Sequence, residues 1–138
     1  LQQMLQEAGL WYDADQAPDP EVWLDADETL RLWAIELHHR QFDGEHPAPP
    51  DPRAHAVAHE LVENQLAEGE PAAVGDTLAR LEKQGLSRHE AIHAVGAVMM
   101  GMLYDMVETK SPHNTESYAR DLDALTAESW RASITEDA

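Results

Sequence analysis

Arg88-His89-Glu90-Ala91-Ile92-His93 places two imidazoles four residues apart, and on a helix that spacing stacks them over one point of one face. His55 and His59 repeat the spacing on an earlier segment. Eight histidines in 138 residues would give about half of one such pair by chance, so two pairs on helical segments carry weight that one would not. Four imidazole nitrogens from two helices suit a divalent metal ion, zinc first, with iron, nickel or copper as alternatives. Glu63 continues the line of His55 and His59 by one more turn, as a further ligand or as a partner to an imidazole. Glu60 lies about 100° round the helix from His59 and is poorly placed. His39 is an additional candidate if its helix end reaches the same cavity. His46 and His113 fall in expected loops, in water.

Glu90 has two readings. In helical metalloproteases the Glu of His-Glu-x-x-His is the base that activates metal-bound water. Ser87-x-x-Glu90 is also a capping box, in which the Ser hydroxyl accepts from the backbone N–H of Glu90. The cap alone accounts for Glu90, so the catalytic role ranks second.

Helices must position these residues. Leu1 to Leu10 reads as an N-terminal arm or short helix with Gly9 near its stop. Asp19-Pro20 is a helix start, and Asp25 with Glu28 offers a capping box for a helix from about Ala26 to Gln41. Gly44 and four prolines make Phe42 to Pro52 a loop. Helices are expected over Arg53 to Glu68, Pro71 to about Gln84, Ser87 to about Thr109 and Asn114 or Thr115 to about Ala132. From Ala91 to Val107 only Asp105 is charged, so that helix is expected to be buried on most sides. The fold class is all-α: a five- or six-helix, bundle-like single domain with a long buried central helix. Its expected divisions are an arm over 1–20, a helical domain over 21–132 and a tail over 133–138.

Composition narrows the partners. With no cysteine, thiolate metal sites are excluded. The balance of 27 acidic against 9 basic residues, net −18, disfavours nucleic acid and anionic lipid and favours cations, a basic protein partner or a salt-rich milieu; a homodimer is the other candidate partner. No uninterrupted apolar run reaches the length of a membrane span and no leader opens the chain, so a cytoplasmic location is expected.

Two resemblances follow. His89 to Met99 resembles the metzincin pattern His-Glu-x-x-His-x-x-Gly-x-x-His, but Met99 stands where the third ligand belongs and no strand is evident to align a peptide. The chain from about Val22 to Leu125 also resembles a bacterial family of short helical proteins catalogued as a domain of unknown function. The resemblance rests on Trp23-Leu24-Asp25, on His55 and His59 with Glu63-Asn64-Gln65-Leu66, and on Gly85 to His93. It implies that His55, His59, His89 and His93 act as a group. Where that pattern often carries a Glu one or two turns after the last His, this chain has Ala97 and Gly101. The function expected is therefore divalent-metal binding at an inter-helix His site, with metal-dependent hydrolysis the reaction the motif suggests. The alternative is an acidic interaction module, or a homo-oligomer, without metal.

The charge yields a first test. Carboxylates of one sign repel across a Debye length of about 10 Å at 0.1 M salt. The unfolding temperature should rise as sodium chloride is raised from about 0.02 to 0.5 M. A flat melting profile would show that the acids are spaced or paired well enough to cancel.

Overall fold

The computed structural model describes residues 2–7, 9–41, 52–112 and 114–136, and among these every regular element is a helix. In order they are α1 (Gln2–Glu7), α2 (Pro20–Asp25), α3 (Glu28–Gln41), α4 (Pro52–Glu68), α5 (Ala72–Lys83), α6 (Arg88–Thr109), α7 (Thr115–Ala124) and α8 (Ala127–Glu136). The expected loop from Phe42, with His46, and the residue His113 lie outside the described residues; Pro52 opens α4.

The class is as expected, but eight helices stand among the described residues rather than five or six. One extra break falls at Leu125-Thr126. Leu125 leaves the helical region (ψ 132°), and Ser129 N–H donates to Thr126 Oγ1 while Thr126 N–H donates to Ser129 Oγ, both at 3.0 Å. This reciprocal cap starts α8 where a continuous helix was expected. The start of α3 also differs. Asp27, not Asp25, accepts from the backbone, with Thr29 N–H at 2.8 Å from its Oδ1. Asp25 is instead the last residue of α2. Asp19 caps α2 with Pro20 at the first position, and Asn114 caps α7, as expected.

The chain forms two compact units, Leu1–Glu68 and Gly69–Ala138. In the first, α2 and α3 both pack on α4, and α1 packs on α3. Its core includes Leu5, Leu10, Tyr12, Trp23 and Ile35. A polar tie joins three of its helices. Asn64 Oδ1 on α4 accepts from Trp23 Nε1 at 2.9 Å and from Arg31 Nη1 at 3.1 Å. The same guanidinium donates to the carbonyls of Leu24 (2.8 Å) and Ala26 (3.1 Å), satisfying acceptors that the end of α2 leaves open.

In the second unit α5, α6 and α7 pack on one another around Val74, Leu78, Leu81, Ile92, Val95, Tyr118 and Leu122. Arg80 donates to the carbonyls of Leu125 (2.6 Å) and Leu122 (2.9 Å) and closes α7. The central helix α6 is not buried along its length. Its buried residues all fall between His89 and Met99, interrupted by the exposed Glu90 and Ala97, and beyond them Met100, Tyr104 and Val107 are 41%, 64% and 75% exposed. Contrary to the sequence expectation, α6 is by length and composition apolar enough to cross a membrane. Of its most apolar stretch, 33% is buried.

Glu60 on α4 is almost fully buried, and its Oε2 has no hydrogen-bond partner. Its pKa is raised from 4.5 to about 7, first by burial and then by repulsion from Glu28; Arg31 and Asn64 act the other way. The fold thus favours the protonated acid. Below pH 4.5 both folded and unfolded chains hold the proton and nothing is lost. Between 4.5 and about 7 the unfolded chain ionises first and stability falls; above that the loss is constant. Glu60→Gln should raise the stability at pH 8 by about 1–3 kcal/mol, and the gain should vanish near the unfolded pKa. A gain of equal size at both ends of a pH series of denaturant melts would show that the titration is not its source.

Candidate metal centre

The first unit gathers three histidines from two helices. His39 ends the apolar stretch of α3, and His55 and His59 stand one turn apart on α4, which packs against it. Their ring centroids are 4.8 Å apart for His39–His55, 4.6 Å for His39–His59 and 4.8 Å for His55–His59. Each offers a ring nitrogen, and these nitrogens lie within 4.8 Å of one another. Nitrogens bound tetrahedrally to one zinc at 2.0–2.1 Å are about 3.4 Å apart. The rings therefore need to close by only about an ångström, within reach of small side-chain rotations.

Hydrogen bonds choose the tautomers of two of these rings. His39 Nδ1 lies 2.8 Å from the carbonyl oxygen of Ile35, one turn earlier. A carbonyl only accepts, so Nδ1 carries the proton and Nε2 the lone pair. For His59 the partner is Tyr12, whose hydroxyl donates to Glu63 Oε2 at 2.6 Å. That hydroxyl has a single proton, so toward His59 Nδ1 at 3.2 Å its oxygen accepts and Nδ1–H donates. The lone pair of His59 is again on Nε2. A metal-binding imidazole is commonly held this way, its other nitrogen bonded to a carbonyl or, through a relay, to a carboxylate.

His59, Glu63 and Tyr12 are 2%, 1% and 3% exposed; His39 and His55 are half-buried. Burying this many polar groups is costly unless each finds a partner. His38, the neighbour of His39, shows the contrast: it is buried, and its Nε2 accepts the Ala14 N–H at 3.4 Å. Its lone pair is already used to hold the N-terminal segment.

Of the residues expected from sequence, His55 and His59 come together as their spacing requires. Glu63 joins the site one layer out, bonded to Tyr12 rather than facing the three nitrogens. His39, an additional candidate from sequence, is a full member. Tyr12 was not found from sequence, since it lies 47 residues from His59 and no spacing rule connects them. In the second unit His89 and His93 meet one turn apart as expected, edge to face with centroids 4.5 Å apart, His89 buried and His93 half-buried. Glu90 is exposed, and its backbone N–H donates to Ser87 Oγ at 3.1 Å, so Ser87 caps α6; of the expected capping box this is the Ser half, which involves the backbone and not the carboxylate of Glu90.

No family model, curated protein or solved structure matches the chain. The chemistry of the site must be read from its geometry.

The adjacent histidines supply a test. His39→Ala should weaken zinc binding by roughly tenfold or more while leaving helicity intact. His38→Ala should lower the melting temperature and weaken zinc binding less than His39→Ala does, only through the loosened N-terminal segment. Equal effects of the two substitutions on zinc titration would contradict the division of roles drawn from their hydrogen bonds.

Proposed function

We propose that this protein binds a divalent metal ion, zinc foremost, through His39, His55 and His59. The observation that carries the reading is the meeting of three imidazole nitrogens from α3 and α4, with partners that leave His39 and His59 as Nε2 donors. All three donors are neutral imidazoles, a set that suits zinc and also copper, nickel or iron. Glu63, behind Tyr12, places a carboxylate next to the ligand layer, where a bound dication would be stabilised by it.

His89 and His93 enter the proposal as further ligands on their sequence spacing alone. Their chemistry matches that of the α4 pair, and a set of nitrogen donors without cysteine needs several imidazoles to hold zinc firmly. The hydrolase role suggested for Glu90 has less behind it, because its side chain is exposed in the first turn of α6.

A second reading is favoured by one observation, the exposed face of α6. Ala97, Met100, Tyr104 and Val107 follow one another at helical spacing and are open to solvent. Such a stripe suits self-association or a protein partner, with the histidines as polar core.

Metal analysis of untagged protein, purified with no added metal, separates the two. Near-stoichiometric zinc that disappears in the triple variant His39→Ala/His55→Ala/His59→Ala supports the metal reading. Metal-free protein that binds no zinc on titration removes it. His93→Ala should lower zinc affinity more than Glu90→Ala does; the reverse order would strike His93 from the ligand set.

A further inference from the structure

The N-terminal segment reaches the metal site at one residue. Tyr12 lies outside any helix, between α1 and α2, yet it is 3% exposed, and its neighbours Leu10 and Ala14 are 5% and 0% exposed. Its ring packs against Trp23, His38 and His59 at centroid distances of 5.7, 5.4 and 6.2 Å. Its hydroxyl bridges His59 Nδ1 and Glu63 Oε2, two residues one turn apart on α4.

We infer that Tyr12 is the positioning residue of the metal site, and that docking of the segment around it and metal binding at His59 are one linked equilibrium. The inference rests on the metal reading proposed above. Imidazole in water exchanges its proton between two nitrogens, and only the form with the lone pair on Nε2 is ready to bind here. Tyr12 selects that form, because its own proton is committed to Glu63 and it can only accept from His59. The carboxylate at the end of the relay strengthens the donor character of the ring. Linkage makes the effect reciprocal: if the docked segment favours the metal, the metal favours the docked segment by the same factor. Trp11, beside Tyr12 and 67% exposed, offers a cleavable bond that reports whether the segment is docked.

Tyr12→Phe isolates the hydroxyl, since the ring and its three aromatic contacts remain. Zinc affinity should fall by about 10–100-fold. Nitrogen-15 spectra of the metal-free protein should show His59 as one tautomer, with the proton on Nδ1, in the wild type and as a mixture in the variant. Zinc should slow chymotryptic cleavage after Trp11 in the wild type, and this protection should shrink in Tyr12→Phe by the factor lost in affinity. A purely structural role would leave the His59 tautomer unchanged. Wild-type affinity and a single His59 tautomer in a folded Tyr12→Phe protein overturn this inference and leave the metal reading standing. A wild-type chain that takes up no zinc overturns both. Should Tyr12→Phe not fold, Glu63→Gln carries the test: the amide N–H can donate to the Tyr12 oxygen and release the hydroxyl proton toward His59. Weakened zinc binding with a mixed tautomer supports the inference, and unchanged values of both overturn it.

Discussion

Packing α3 against α4 in the first unit means burying imidazoles and a carboxylate where hydrophobic side chains would ordinarily lie. A buried polar group without a partner costs a free energy comparable to the gain from a well-packed aliphatic residue, so this interface tolerates His59 and Glu63 only because each is bonded. The Tyr12 hydroxyl serves both at once. Much else in the unit follows from this arrangement. The segment after α1 must lie down on α3 and α4 to deliver Tyr12, and Ala14 is then fixed to His38. The cost of burial is met by bonds that also set the donor atoms.

The adjoining face of α4, about 60° round from Glu63, works differently. Glu60 faces Glu28 with Arg31 and Asn64 nearby, and there burial and like charge dominate, so the proton is retained to about pH 7. One helix thus carries two acids three residues apart with different environments. Glu63 is answered by a hydroxyl, whereas Glu60 has a buried oxygen with no hydrogen-bond partner. Arginine, scarce in this acidic chain, is used to close helix ends: Arg31 at α2 and Arg80 at α7 each bond two carbonyls. In a protein of net charge −18, placing cations on the negative ends of helices also offsets some of the repulsion.

Helix class and most helix starts could be read from sequence because they depend on neighbours within a few residues. Asp19-Pro20, Ser87 and Asn114 cap helices by contacts to backbone groups two or three residues away. The pairing of His55 with His59 and of His89 with His93 is of the same kind, fixed by helical pitch. Where two local signals compete, neighbouring residues alone do not choose between them. Asp25 and Asp27 are both able to cap α3, and Thr126 has no strong turn residue beside it to announce the break before α8.

Composition and local pattern specify an all-helical, cysteine-free, acidic chain with histidine pairs one turn apart. The packing of whole elements brings His39 to His55 and His59 and joins Tyr12 to His59 and Glu63. It also decided that α6 is covered only as far as Met99. Periodicity shows which residues share a face, but not which face of another helix will meet it. A contact spanning 47 residues depends on how whole elements pack, and no local pattern encodes that.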